Sequence, residues 1–586
     1  MKRSLTSSAR SLTGTLLLIV FLSGCASSPA GAQGEDSAAP SSDWPHGGMV
    51  SVANPYAVEA AAKVLAAGGH AVDAAIAAHA VLGLVEPQSS GLGGGAFMLV
   101  YERASGKLTV FDGRETAPAG ATTDMFLVDG EPMGFIDSWQ SGVAIGVPGA
   151  VALYEKAHQT FGRRPWAEVL TPAIELATEG FEVSPRLNGL LTRIARYSEL
   201  DERPDTAAYF FPDGEALPVG YVRTNPAYAK TLDQVVNGGA RVFYTGALAE
   251  AIAAAAQAEP RAGTLSVADI EGYEVIVREA LCGGWRDLSL CTAPPPSSGL
   301  AQIMIAGLYD RLAGDTEDPN ARVRAFVDAQ RLAYADRDYY VADPAFADVP
   351  VQAIIDPSYL DARATQRFAP DAKPVHGDPG SVVNGRAAAA RWGVDTTREP
   401  SGTTHLSIID VEGNAVSMTA TVEAPFGSSR WVGGFLLNNQ MTDFARQPLI
   451  DGKLAANAVK GGKRPRSSMS PIMIFDADGG LKLVSGSPGG NSIVAYVAKT
   501  TLGVLAWEQS VDDAIAFPNI VARGPKVRVE TADDTGRRIA AMLAESGYDV
   551  QEREGENSGL HTILVGPDGL EGGADPRREG RVQTVR

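Results

Sequence analysis

At 586 residues, with a net charge of −19 at pH 7 and 45% hydrophobic residues, the chain is long enough for one large body or two units. It is also acidic enough to repel phosphate backbones, which excludes nucleic acid as an expected partner. Charged residues make up 20%, and beyond the N-terminal leader no apolar run is long enough to span a bilayer, so the bulk belongs among globular enzymes or binding proteins.

Lys2, Arg3 and Arg10 precede the apolar stretch GTLLLIVFLSGC, which closes on Leu22-Ser23-Gly24-Cys25. The stretch is too short for a transmembrane helix, and its flanks are those of a secretory signal. A small-residue site ending in cysteine resembles the lipobox of bacterial lipoproteins, in which Cys25 is lipidated and begins the mature chain; a plain signal with an incidental cysteine is the other reading. Residues 1–25 are read as a lipoprotein signal and residues 26–47 as a flexible tether. The expected location is the periplasm, with attachment to the bacterial outer membrane only through the lipid on Cys25.

From Pro55 to Pro87 an Ala-rich pattern predicts two helices broken at Gly68-Gly69. The run Gly91 to Ala96 satisfies a dinucleotide fingerprint on paper, but it follows a helix and precedes a strand, the reverse of what that site needs. Two strands with a turn at Ser105-Gly106 come next and end near Arg114. Helical patterns fill residues 147–363, including ALAEAIAAAAQAE and ARVRAFVDAQRLAYADRDYY. Within them Cys282 and Cys291 flank a Gly-Gly turn in a predicted hairpin, as a possible disulfide or as two small buried apolar residues. Residues 367–402 lose periodicity, which suits a surface linker or a cleavable segment. Strands are predicted at 403–410, 415–422, 433–438, 470–475 and 481–485, with helices near 491–507 and 531–546. Strands between helical layers make an α/β or α+β sandwich.

The linker ends REPSG, and TTHLSIID follows. Inside a chain a threonine hydroxyl lacks a proton acceptor; as an N-terminal residue it has its own α-amino group. Cutting between Gly402 and Thr403 creates that pair, although two threonines alone more often just begin a strand. If DVEGN turns with Gly413 left-handed, Asp410 pairs with Asn414 and Thr421 falls opposite Thr403, unless a bulge shifts the register. Farther on, KLVSGSPGGNS predicts a strand, a turn at Gly489-Gly490 and a helix capped by Asn491 or Ser492, whose backbone N–H groups suit an oxyanion.

With those residues in view, the sequence resembles the γ-glutamyltransferase family of N-terminal-nucleophile hydrolases from about Gly48 to Arg578. GGHAVDAAIA, EPQSSGLGGGAF, DGRETAP, PPPSSGL, AYADRDYY, TTHLSIID, LLNNQMTDF, KRPRSSMSP, GSPGGNS and DPR carry the likeness. The resemblance implies an α+β fold, a four-layer αββα sandwich formed jointly by a large subunit (48–402) and a small one (403–586). It implies Thr403 as processing site and nucleophile, Thr421 as its support, and Gly489 and Gly490 as oxyanion donors. It also implies Arg114, Ser467 and Ser468 on the substrate α-carboxylate, with Gln440 and Asp443 near its ammonium. No metal or cofactor is implied. The expected partners are glutathione and other γ-glutamyl compounds, with water, amino acids or peptides as acceptors.

Three departures stand out. Glu423 replaces the asparagine of many members, the segment from Phe444 to Ser467 is shorter than a typical lid loop and lacks its tyrosine, and His70 replaces an asparagine in a structural position. The first two keep open a cephalosporin-type acylase of the same fold. A lipoprotein that binds γ-glutamyl peptides without being processed is the rival from another class.

Overall fold

Thirteen strands build two antiparallel sheets: β1 (Gly48–Val52), β2 (Gly95–Glu102), β3 (Lys107–Gly113), β4 (Ile276–Glu279), β5 (Leu281–Trp285), β6 (Leu288–Thr292), β7 (Gly402–Ile409), β8 (Ala415–Glu423), β9 (Ile472–Phe475), β10 (Leu481–Gly486), β11 (His561–Gly566), β12 (Gly569–Ala574) and β13 (Arg581–Val585). The seven-stranded sheet runs β13-β1-β7-β8-β2-β3-β4, and the six-stranded sheet runs β12-β11-β10-β9-β6-β5. A computed structural model describes residues 44–385 and 391–586. The leader, Cys25 and most of the expected tether lie outside the described residues. The tether reading runs slightly too far, because the Trp44 indole donates to the Gly47 carbonyl at 2.8 Å and its ring lies against Gly413.

Helices cover both outer faces. Helix α1 (Pro55–Ala66) and the wholly buried α2 (Ala71–Val85) meet at the expected Gly68-Gly69 break. His70 caps α2: its ring accepts the Val72 N–H at 3.1 Å, and Asp73 accepts the His70 N–H at 2.9 Å, a reciprocal cap that fits its reading as structural. These helices pack on Ala96, Met98, Val100, Leu406, Ile408, Val416 and Met418. On the far side α3 (Gly299–Ala313), α4 (Pro319–Tyr340) and α5 (Ile493–Leu505) share a second core with Leu290, Ile474, Leu483 and Val484. The result is the α+β four-layer sandwich.

The period of two along β7 and β8 does something a surface strand does not. Its polar residues face the other sheet, where Ser407 Oγ donates to the His561 carbonyl at 2.9 Å and Ser417 Oγ to the Ser485 carbonyl at 3.0 Å. Thr403 and Thr421 share that inner face.

Four expectations need adjusting. Gly283-Gly284 is not the turn of the cysteine hairpin; it lies in β5, and Cys282 is directly opposite Cys291, with the sulfurs joined. Gly283 is there because a Cβ would come within 2.3 Å of Ile303 on α3. Residues 433–438 form only a two-residue strand, Phe435–Leu436, because Gly433 and Gly434 turn at φ +56° and +88°. Ser492 stands at the N-cap of α5 as expected, but without a side-chain capping bond: its Oγ accepts from Arg528, while Asn491 Oδ1 accepts the Glu399 N–H. The end of the 367–402 segment is no free linker either, since Asp395 and Glu399 are buried in ion pairs with Arg466 and Arg337.

Candidate active site

The β7–β8 hairpin fixes the first part of the site. Gly413 turns at φ +84°, its N–H reaches the Asp410 carbonyl at 3.0 Å, and Asp410 N–H reaches Asn414 at 2.9 Å. The register that follows sets Thr403 opposite Thr421, with an irregularity at Gly402/Thr403. Their hydroxyl oxygens are 3.2 Å apart. Thr421 Oγ donates to the Gly402 carbonyl at 2.7 Å and accepts the Glu423 N–H at 2.8 Å. A hydroxyl has one hydrogen, so the hydrogen between the two threonines is the one on Thr403. The carbonyl of the Gly402–Thr403 bond is thus polarised by a residue that also accepts from the neighbouring hydroxyl. A side chain at Gly402 would put a Cβ 2.3 Å from the Glu423 carbonyl, so glycine is required for this close approach.

On the other side of Thr403, Arg578 Nη1 donates to its carbonyl at 2.9 Å. Burial, then the neighbouring Arg186 charge, brings the Arg578 guanidinium down to about 9. The Gly489-Gly490 turn lies against the residues just before the bond: a Cβ on Gly490 would be 2.3 Å from the carbonyls of Glu399 and Pro400. Asn491 N–H donates to the Glu399 carbonyl at 3.3 Å.

Arg114, Glu423, Gln440 and Asp443 come together in a buried cluster. Arg114 Nη2 is 2.5 Å from Asp443 Oδ2 and 2.9 Å from the Arg466 carbonyl. Gln440 Nε2 donates to Glu423 at 3.2 Å and to Asp443 at 2.7 Å. Burial and the charge of Asp443 hold Glu423 well above the ordinary carboxylate range; burial and the charge of Glu399 also raise Asp443. Glu423 adopts φ +81°, a left-handed conformation that residues bearing a Cβ disfavour. Arg114 Nη1, Glu423 Oε1, Gln440 Oε1 and Asp443 Oδ1 have no hydrogen-bond partner among the described residues. Buried orphans on four convergent residues are costly. Both signs of charge are offered at once, which suits a ligand bearing an ammonium and a carboxylate.

Ser467 and Ser468 border this cluster, with their hydroxyls engaged by the protein. Ser467 Oγ accepts the Met469 N–H at 3.1 Å, and Ser468 Oγ accepts from Arg337 at 2.6 Å. Ser468 N–H donates to Glu399 at 3.1 Å, and the other Glu399 oxygen pairs with Arg337 at 2.6 Å. Although burial pushes the Glu399 carboxyl up, Arg337 and Arg466 bring it below its usual value. Sequence reasoning passed over Glu399, Arg337 and Arg578. AYADRDYY contained Arg337 and Arg578 directly follows DPR, but nothing local announced their partners.

The sequence model of the family described as gamma-glutamyltranspeptidase matches residues 57–585. The chain belongs to the γ-glutamyltranspeptidase family. Among its relatives, a glutathione hydrolase proenzyme of Escherichia coli (strain K12) is 35% identical over 90% of this chain and 90% of that protein. A glutathione hydrolase proenzyme of Bacillus subtilis (strain 168) is 34% identical over 81% of this chain and 80% of its own. Among solved structures, the cephalosporin acylase from Bacillus halodurans superposes with a TM-score of 0.80 at 25% identity, covering 95% of this chain and all of that one. In this member of the family the segment after Phe444 carries a small hairpin, Leu449–Ile450 with Lys453–Leu454.

Proposed function

We propose that the protein is an exported, self-processing glutathione hydrolase and γ-glutamyltransferase. Thr403 Oγ attacks the Gly402 carbonyl carbon, the C–N bond breaks as nitrogen takes the proton, and water hydrolyses the resulting ester. Two subunits follow, 26–402 and 403–586. The freed amine of Thr403 then serves as base while its hydroxyl attacks a γ-glutamyl amide. Gly489 and Gly490 supply N–H groups to the oxyanion, a kind of donor worth about 3 kcal/mol each. Water or an amino acid or peptide takes the acyl group from the threonine ester. Cys25 anchors the mature protein to the outer membrane.

The observation that carries this reading is the bond from Thr421 Oγ to the Gly402 carbonyl at 2.7 Å beside the Thr403 hydroxyl. Thr403→Ala is expected to leave one uncut band on denaturing electrophoresis and no turnover of a γ-glutamyl anilide. A cut and active Thr403→Ala protein would refute the assignment. Terminal sequencing of the mature small fragment should begin Thr-Thr-His.

The likeness to a cephalosporin acylase supports a second reading, cleavage of a dicarboxylic acyl side chain. Glu423 and Asp443, bridged by Gln440, favour an ammonium-bearing acyl group instead, since a simple diacid has no cation to place against them. Side-by-side assays of a γ-glutamyl anilide and a glutaryl cephalosporin decide between them.

A further inference from the structure

The open cavity next to the Gly402–Thr403 bond is strongly cationic, in a chain whose net charge is −19. It measures about 1250 Å³, touches Pro400, Ser401 and Gly489, and is lined by eight arginines against three glutamates. Two of the arginines have counter-ions: Arg528 pairs with Glu556 at 2.9 Å and Arg577 with Glu530 at 2.6 Å. Arg186, Arg193, Arg446 and Arg553 form no ion pair among the described residues, and the buried Nε atoms of Arg186 and Arg446 have no hydrogen-bond partner among them. Among the described residues Arg578 hydrogen-bonds only to neutral oxygens, the carbonyls of Thr403, Asn557 and Ser558 and the Asn557 side-chain amide. Phe135 and Trp139 form an aromatic part of the wall, with the Arg446 guanidinium 5.4 Å from the Phe135 ring centre.

Cations crowded together without counter-ions oppose one another, and an anionic ligand relieves that cost. The acyl-binding cluster of Arg114, Glu423, Gln440 and Asp443 is buried, so whatever extends beyond the scissile bond has to occupy the open side. A cavity this size exceeds what a single amino acid fills.

We infer that this cavity binds the leaving group and the acceptor, and that it selects peptides or amines carrying two or more carboxylates. The inference rests on Thr403 as the attacking group, and extends that reading to the far half of the substrate.

The test compares two isosteric donors on the processed wild-type enzyme, the γ-glutamyl amides of aminoisophthalate and of the uncharged aminoisophthalamide. The dicarboxylate is expected to show a KM lower by about tenfold, a preference that shrinks as salt is added. Arg446→Gln, and separately the double change Arg193→Gln with Arg553→Gln at exposed positions, should bring the ratio of the two KM values close to one. Equal KM values in the wild type, or a preference that survives both variants, overturns the inference. Calorimetric titration with trimesate supplies a readout independent of turnover: wild type should bind it and the variants should bind it more weakly, whereas no binding by wild type is a negative result. Absence of turnover with both amides counts against Thr403 as nucleophile and leaves the titration to decide the cavity.

Discussion

Thr421 has one hydroxyl hydrogen, and the Gly402 carbonyl receives it at 2.7 Å. Replacing that hydroxyl with a methyl removes the polarising donor while keeping the β-branched shape. Thr421→Val is therefore expected to slow self-cleavage by about a hundredfold or more, and Thr421→Ser to retain most of it, as followed by the appearance of the two fragments with time. Equal rates for the two variants would remove Thr421 from the step. A second residue-scale effect concerns Glu115, which burial pushes from 4.5 up to about 8, against the opposing pull of Arg114. The folded protein keeps this proton at pH values where an exposed glutamate has lost it, so the native state binds more protons than the unfolded one. Stability is accordingly expected to fall as pH rises from about 4.5 through about 8. Glu115→Gln should flatten part of that fall, as measured by thermal denaturation across the interval.

Among the elements, the β7–β8 hairpin is where residue types and register agree. Asp410, Gly413 and Asn414 set the turn, the period of two does the rest, and so the pairing of Thr403 with Thr421 could be read from the chain alone. The β5–β6 hairpin was only half legible, because glycines look alike whether they serve a turn or a tight helix contact. Joining Cys282 to Cys291 closes a loop with a sequence separation of 9, which is worth about 2 to 3 kcal/mol in a chain-entropy estimate. Cys282→Ala with Cys291→Ala is expected to lower Tm by a few degrees, and reductant should lower the wild-type value similarly; an unchanged Tm in both would show that the bridge does not form. What sequence could not reveal is the charge network around Glu399. Its partner Arg337 is 62 residues away, on α4, and a lone arginine in a helical pattern gives no sign of which segment will cross it. The inward polar face of β7 was hidden for a similar reason: alternation shows that two faces differ, not that a second sheet covers the polar one.

At the scale of the molecule, neither side of the Gly402–Thr403 bond owns a sheet. Strands β1 to β6 come before it, the bond itself lies at the first residue of β7, and β8 to β13 come after it, and both sheets contain strands from each side. Parting the fragments would expose unpaired strand edges. After cleavage they should elute together in gel filtration and separate only in denaturant; separate elution under native conditions would contradict the shared sheets. Strand β13 and Arg578, which holds the Thr403 carbonyl at 2.9 Å, both come from the last stretch of the chain. If the chain severs itself at this bond as proposed, ripening is expected to wait for the tail: a copy truncated before Arg578 should stay whole on denaturing electrophoresis, and a cut one would show that the final residues are dispensable.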